Sequence, residues 1–430
     1  MKYQTREYQD KAIASGISSS NGILVLPTGS GKSLVCAGMV DRLDGGVLVL
    51  QPSVEILESN LEKARAFGID AEVYSASAGQ KTIGRVTYAT IGSIIKKLDL
   101  FQHVKTVLID ECHLVNAKGG MYEKLITSLA PDRLIGMTAT PYRLSTTSYG
   151  SQMRIQCRTR PKLFENILHV SNPCDLLKLG FLLNPEFADI KTDTRMLTPN
   201  SSGAEYSEHS VDKFMRVNSI RQQVINLAAT IDHKHILIFS ESVEDSDSIV
   251  ADLIGRGIRA STVNAKTPKK PRAEQIAGFM SGAIKVMVNV GTLTTGFDFP
   301  ALDCIIDSCP TMSAGLHYQK IGRVVRPFPG KKPVVYDLAG NHTRLGNPLN
   351  YTMLPNSSGN YEVYSERGRI TTRIISADGE CETKLTFGKH SGKSISALDD
   401  DYIEWAAKEM NGDWKHVFYA EKIRRELFVK

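Results

Sequence analysis

The stretch Leu26-Pro27-Thr28-Gly29-Ser30-Gly31-Lys32-Ser33 limits what this chain can fold into more than any other feature. Ile23-Leu24-Val25-Leu26 leads into it and reads as a buried strand. Leu34, Val35, Ala37, Met39, Val40 and Leu43 follow it at helical spacing. Strand, glycine-rich turn and helix make the setting of a phosphate-binding loop. Gly29 and Gly31 let the backbone turn its N–H groups towards an anion, and the helix points its positive end at the same place. Thr28 and Ser30 belong to the same cradle. Lys32 supplies a mobile charge for the outer phosphates, and Ser33 a hydroxyl for a metal ion. Leu26 stands where the strict eight-residue pattern has its first glycine.

Composition narrows the class. A chain of 430 residues should hold two or three domains. With 42% hydrophobic and 23% charged residues it is ordinary for a soluble globular protein. A net charge of +6 permits nucleic acid as a partner without demanding it. The seven cysteines are scattered, with no Cys-x-x-Cys spacing, and indicate neither a disulfide framework nor a structural zinc site. A reducing cytoplasm fits. The N-terminus has no apolar signal core and no run reaches membrane-spanning length, so no membrane partner is expected. Nothing indicates an oligomer.

Upstream of the loop, Arg6-Glu7-Tyr8-Gln9 opens a short helix. The Gln9 amide offers a donor and an acceptor side by side, which matches the edge of adenine. Its place about twenty residues before the loop, beside Arg6 and Tyr8, favours that role over a plain surface glutamine. Val47-Leu48-Val49-Leu50 is the next strand, stopped by Pro52, and Ser53 starts a helix. Further strands are expected near 71–74 and 83–88, and Thr90 opens another helix. Ser53 and Thr90 suit either helix capping or a grip on a sugar-phosphate backbone, and one residue can do both.

Val104-Lys105-Thr106-Val107-Leu108-Ile109 is an apolar strand that ends in Asp110-Glu111-Cys112-His113. Two carboxylates at the end of a buried strand repel unless a cation sits there. Asp110 is placed to hold Mg²⁺ through its waters, and Glu111 to orient and deprotonate an attacking water. His113 is a candidate relay of the γ-phosphate state. The strand Leu134-Ile135-Gly136-Met137 runs into Thr138-Ala139-Thr140-Pro141, whose hydroxyls are candidates for coupling hydrolysis to a neighbouring domain.

In this order the motifs resemble those of superfamily 2 helicases, which carry two RecA-like motor domains. Ile236-Leu237-Ile238-Phe239-Ser240 reads as the first strand of the second motor. Val290-Gly291-Thr292-Leu293-Thr294-Thr295-Gly296-Phe297-Asp298 resembles the motif that touches both nucleic acid and nucleotide. Gln319-Lys320-Ile321-Gly322-Arg323-Val324-Val325-Arg326 resembles the arginine-finger motif. The likeness covers roughly residues 1–345. It implies an α/β fold of two tandem RecA-like domains with parallel sheets, and ATP and Mg²⁺ as cofactors. Arg323 and Arg326, one turn apart on a helix with Gln319 on the same face, would stabilise charge on the γ-phosphate when the domains close. Gly296 and Asp298 are the implied nucleotide contacts. Ser240, Thr267, Arg272 and Thr292 are the implied nucleic-acid contacts, with Ser53 and Thr90.

The remaining stretches say less. Arg154, Arg158, Arg160 and Lys162 crowd nine residues without an acid and read as an exposed basic loop, either on the nucleic-acid path or simply solvated. Leu176-Leu177-Lys178-Leu179-Gly180-Phe181-Leu182 resembles the helix and turn that start the second motor in phage and restriction-type relatives. Residues 192–209 read as a mobile polar loop. Lys266 to Arg272 is a second basic cluster, before a helix ending near Gly282. Alternation over 349–387, with turns at Arg367-Gly368 and Asp378-Gly379, suggests a small β-meander. Phe387-Gly388-Lys389-His390-Ser391-Gly392-Lys393 and the helix after it resemble a small accessory module of phage and bacterial nucleic-acid enzymes. That loop leaves no clear buried strand and is not read as a second ATP site. Tyr402, Trp405 and Trp414 suit core packing or base stacking.

The expected layout is motor 1 at 1–145, a basic connector and polar loop at 146–212, motor 2 at 213–345, and a small α+β accessory domain at 346–430. The expected activity is that of an ATP- and Mg²⁺-dependent DNA helicase or translocase. Compact size, the Asp-Glu-Cys-His form and the tail resemble the branch-migration helicases of large bacteriophages, the T5-type included. That likeness implies branched DNA (forks and Holliday junctions) as partner, with RNA less favoured, and the host cytoplasm as location. The alternatives are a duplex translocase that separates no strands, an RNA helicase, and a nucleotide-gated junction clamp. Intact Glu111 and both arginines argue against the clamp.

Overall fold

The computed structural model describes residues 4–116, 119–147, 150–158, 162–294, 296–355, 361–365, 368–370 and short pieces between 385 and 425. The side chains of Arg154, Arg158 and Arg160, Thr295, the Asp378-Gly379 turn, Phe387 and Gly392 lie outside the described residues. The chain divides into two compact units. One comprises residues 1–143, 154–176 and 295–297, the other 144–153, 177–294 and 298–430.

The first unit is built on short apolar runs that are buried on both faces, a pattern that suits parallel strands covered by helices. Its strands are β1 (Asn21–Val25), β2 (Gly46–Gln51), β3 (Glu72–Ser75), β4 (Gln80–Lys81), β5 (Val86–Thr90), β6 (Val104–Asp110) and β7 (Arg133–Thr138). A two-stranded ribbon, β8 (Tyr142–Thr147) and β9 (Gly150–Ile155), follows, and then β10 (Ile167–Val170). The sheet order is β10-β1-β7-β6-β2-β5-β3-β4, parallel throughout except at β4. Helices α1 (Glu7–Ser18), α2 (Lys32–Arg42) and α3 (Val54–Ala66) contribute Ile13, Val35, Met39 and Leu57 to a core shared with Leu24, Val49 and Leu108. The register aligns the C-terminal strand ends, with Val25 opposite Thr138, Asp110 opposite Met137 and Gln51 opposite Thr90. Polar residues gather at that edge, where open parallel sheets place their ligands.

The second unit holds six parallel strands: β11 (Glu186–Asp189), β12 (Ile236–Phe239), β13 (Ala260–Asn264), β14 (Val286–Val290), β15 (Cys304–Asp307) and β16 (Val334–Asp337). Their order is β11-β16-β15-β12-β14-β13. Phe214, Ile225, Ile238, Leu253, Val288 and Ile306 fill the core. Antiparallel β17 (Thr352–Pro355), β18 (Tyr361–Ser365) and β19 (Gly368–Arg369) come next. The helix Asp400–Glu409 packs Ile403 and Ala406 against Leu385, Leu398 and Phe418, and Arg425 Nη2 donates to Leu398 O at 2.7 Å.

Three expectations are corrected. The stretch 146–212 is no mere connector, because β10 and β11 are edge strands of the two sheets, and Ile236–Phe239 is not the first strand of the second sheet. β11 is half-exposed and carries little apolar signal, while β10 is the short apolar run Ile167-Leu168-His169-Val170. Residues 192–209 are tied down rather than loose. Pro199 bridges Tyr206, Leu197 and Tyr206 are buried, and the Glu205 carboxylate accepts from Thr311 Oγ1 at 2.6 Å and Met312 N–H at 2.7 Å. No helix among the described residues is long and apolar enough to cross a membrane.

His317, on the helix Ala314–Ile321, is buried, with no hydrogen-bond partner at Nδ1 among the described residues and with Nε2 3.3 Å from Gly346 O. Burial outweighs the upward pull of Asp307 and holds its pKa down to about 3. In the unfolded chain the imidazole takes up a proton near pH 6.5 that the folded one refuses. Stability is therefore present above that pH and lost as pH falls towards 3. Thermal melts from neutral to acid pH should show a shallower loss of Tm in His317→Phe than in the wild type. Parallel curves would contradict this.

Candidate nucleotide site

The first helical hydrogen bond of α2 runs from Leu34 N–H to Gly31 O at 2.9 Å, so the N–H groups of Lys32 and Ser33 precede the ladder at its positive end. Gly29 and Gly31 have φ of +83° and +82°, a region that suits glycine. Gly31 is doubly constrained, because a Cβ there would lie 2.6 Å from Gln9 Nε2. The loop is held from α1: the Tyr8 hydroxyl and Gln9 Nε2 both donate to Ser30 O, at 2.5 and 2.9 Å. Gln9 Oε1 accepts from Arg6 N–H at 2.9 Å. Thr28 and Ser30 are buried, and the Ser30 hydroxyl has no hydrogen-bond partner among the described residues.

β6 ends at Asp110, and Glu111 follows in the left-handed region at φ +47°. A non-glycine residue held there stores strain of the kind found at functional sites. Asp110 Oδ1 accepts from Glu111 N–H at 2.9 Å, and Lys32 Nζ lies 3.7 Å from Glu111 Oε1. Burial and the Glu111 carboxylate push Asp110 up to about 6, against the pull of Lys32 and of the hydrogen bonds from Glu111 N–H and Asn60. His113 Nδ1 lies 2.9 Å from Thr138 Oγ1 and 3.3 Å from Glu111 Oε2, and Thr140 N–H donates to Thr138 Oγ1 at 3.0 Å. His113, Thr138 and Thr140 thus form one buried chain that starts at Glu111.

Three residues of the first unit escaped the sequence reading. Asn60, on α3, accepts from Ser33 Oγ at 2.7 Å and donates to Asp110 Oδ2 at 3.0 Å and Gln51 Oε1 at 3.1 Å. Gln51, at the end of β2, is the second. Gln156 is buried and donates to the carbonyls of Cys112, His113 and Val115 at 3.3, 2.8 and 3.3 Å. Among the described residues no cluster of three or more His, Cys, Asp or Glu could hold a metal by itself. Mg²⁺ is usually held by one or two protein oxygens with phosphate and water filling the rest. Ser33 and Asp110, one side chain apart, are such a pair, and the N–H groups of Lys32 and Ser33 at the head of α2 suit the phosphates.

Comparison with known proteins follows the same division. A family model described as type III restriction enzyme, res subunit, matches residues 2–143, and the helicase conserved C-terminal domain matches 218–327. A 51.5 kDa protein of a Lactococcus phage is 25% identical over 353 residues, which cover 80% of this chain and 69% of that protein. The DNA 3′-5′ helicase XPB of Kineococcus radiotolerans is 22% identical over 396 residues, 87% of this chain and 65% of its own length. The solved ATP-dependent type ISP restriction-modification enzyme LlaBIII, bound to DNA, matches 78% of this chain and 27% of its own at 14% identity, with a TM-score of 0.57, a likeness of fold. The chain is a superfamily 2 helicase. It therefore belongs to an ATP-driven class of enzymes with two RecA-like α/β units.

The helicase's remaining candidate residues have internal partners. Ser53 caps α3, its Oγ accepting from Ile56 N–H at 3.4 Å, whereas Thr90 makes no cap bond and its Oγ1 lies 2.8 Å from Ser93 Oγ. Ser240 Oγ donates to Asp245 Oδ2 at 2.9 Å, and Thr292 Oγ1 to Asn289 Oδ1 at 2.7 Å. Thr267 Oγ1 accepts from Asn264 N–H at 3.0 Å, and Arg272 Nη2 braces the same turn through Asn264 O and Thr267 O at 3.0 and 3.2 Å. Gly296 has φ +74°.

The expected shared helix for Arg323 and Arg326 is corrected. The helix ends at Ile321 with Gly322 as its cap, and both arginines lie in the following turn. Two β-branched valines and then Arg326-Pro327 oppose helix there, since the residue before a proline is pushed out of the helical region. Gln319 stays on the helix and its carbonyl accepts from Arg323 Nε at 3.3 Å, while Arg326 forms an ion pair with Asp298. Lys320, also missed, is buried and donates to Asp307 Oδ1 at 2.7 Å and Cys309 O at 2.9 Å, which anchors the helix to β15 and the turn after it.

Removing the Gln156 amide leaves three turn carbonyls without their shared donor. Gln156→Ala should cost about 1–3 kcal/mol. Urea unfolding should show a lower midpoint at an unchanged slope; an unchanged midpoint would contradict the clamp.

Proposed function

We propose that this helicase hydrolyses ATP with Mg²⁺ to move along DNA and separate its strands, acting on forks and Holliday junctions in replication, recombination or repair. The observation that carries the reading is the carboxylate pair Asp110 and Glu111, set beside Lys32 and one amide away from Ser33. Lys32 and the loop N–H groups bind the outer phosphates. Ser33 and Asp110 would hold Mg²⁺, which supplies charge neutralisation at the γ-phosphate. Glu111 accepts the proton of the attacking water. Arg323 and Arg326 take the role the family likeness gives them, stabilising charge on the transferred phosphoryl group, with Gln319 as an auxiliary. Arg6 and Gln9 read adenine, Gly296 and Asp298 contact nucleotide, and His113, Thr138 and Thr140 report its state. Ser53, Thr90, Ser240, Thr267, Arg272 and Thr292 contact the nucleic-acid backbone.

DNA is favoured over RNA because the XPB relative is named a DNA helicase. Branched DNA rests on the motif set and the tail, which resemble phage branch-migration helicases; the phage relative supports the same setting, and with it the host cytoplasm. The test is ATP hydrolysis and strand separation measured side by side on single strands, duplexes, forks and four-way junctions, in DNA and in RNA. Forks and four-way junctions should stimulate most. Equal stimulation by every polymer would remove the branched-DNA reading, and hydrolysis without separation would leave a translocase. Glu111→Gln should bind ATP yet turn over at least ~100-fold more slowly. Normal turnover would overturn the catalytic assignment.

A further inference from the structure

Asn60 interrupts an apolar stripe. Ile56, Leu57, Leu61 and Ala64 of α3 are buried, and Asn60 shares their face at spacings of three and four. Such an amide must be hydrogen-bonded to be tolerated. Its Oδ1 accepts the Ser33 hydroxyl proton at 2.7 Å, and its Nδ2 donates to Asp110 Oδ2 at 3.0 Å and Gln51 Oε1 at 3.1 Å. No other described side chain is bonded to both Ser33 and Asp110 in these contacts.

We infer that Asn60 is a positioning residue that readies the Ser33 hydroxyl and the Asp110 carboxylate to bind the divalent cation that accompanies the nucleotide. This rests on the proposed ATP site. A serine hydroxyl carries one proton and two lone pairs. With the proton committed to Asn60 Oδ1, the lone pairs are left for a cation; without that acceptor the hydroxyl is free to turn its proton towards the metal. On the other side, Asn60 Nδ2 holds Asp110 Oδ2 while Glu111 N–H holds Oδ1, so the carboxylate is fixed at both oxygens. Gln51 Oε1 takes the second Nδ2 proton and so sets which way the amide faces: its oxygen to Ser33, its nitrogen to the two acceptors. Groups behind metal ligands that orient them in this way typically change metal affinity 10–100-fold when removed, by about that order.

The test uses the full chain and a fluorescent ATP analogue, titrated with MgCl₂ and, separately, in EDTA. In Asn60→Ala and in the volume-matched Asn60→Leu, the Mg²⁺ concentration for half-maximal tight binding should rise about 10–100-fold. Binding of the analogue in EDTA should stay at the wild-type level, which also reports that the loop is folded. An unchanged Mg²⁺ requirement in both variants would overturn the inference. Loss of binding in EDTA by both would also overturn it, since Asn60 would then support the loop itself. A wild-type protein with no Mg²⁺-dependent binding would instead remove the nucleotide reading on which the inference rests.

Discussion

Two adjacent carboxylates at the end of a buried strand are an unstable arrangement, and much of the first unit answers that problem. Asp110 is almost wholly buried and Glu111 follows it directly. Desolvation and mutual repulsion both oppose ionisation. Lys32 reaches one carboxylate, and Asn60 and a backbone N–H hold the other. Glu111 takes a left-handed backbone to follow Asp110 without continuing the strand. The turn after it lies on Gly136, where a Cβ would come within 2.7 Å of Cys112 Sγ, and Gln156 binds its carbonyls. Strain and buried charge are kept here by the packing around them, as is common where function rather than stability selects the residues.

The second unit solves a different problem, that of holding a cationic turn in place. Lys320 sends a buried ammonium to Asp307, whose other oxygen accepts from Asn341 Nδ2 at 2.9 Å. Asn341 in turn donates to Cys309 O at 2.9 Å and, through Oδ1, accepts from Thr311 N–H at 2.9 Å. A buried ion pair satisfied on all sides costs desolvation but sets a single arrangement. The turn with Arg323 and Arg326 leaves directly from the helix so fixed, and its backbone is tied to the segment before β11 by Leu183 N–H donating to Val325 O at 2.7 Å.

What the sequence made legible was contiguous. The loop from Leu26 to Ser33 and the run Asp110 to His113 each place their chemistry within a few residues, so spacing alone identifies them. Asn60 and Gln156 work through contacts 27 and 44 residues away. Asn60 did leave a trace, a polar residue inside a buried helical stripe, and Gln51 left one at a strand end. Gln156 left none. β11 was missed because an edge strand needs only half an apolar face, and Glu186-Phe187-Ala188-Asp189 has charged residues at both ends, whereas β10 did leave a short apolar run, Ile167-Leu168-His169-Val170. The end of the helix at Ile321 was legible in Val324, Val325 and Pro327, but the motif pattern around the arginines drew the reading past it.

The most direct measurement of the central claim is a crystal structure of the full chain grown with a non-hydrolysable ATP analogue and Mg²⁺. The β-phosphate should lie among the N–H groups of residues 29–33, with the metal between the Ser33 hydroxyl and Asp110. An analogue bound elsewhere, with that loop and Asp110 untouched, would contradict it.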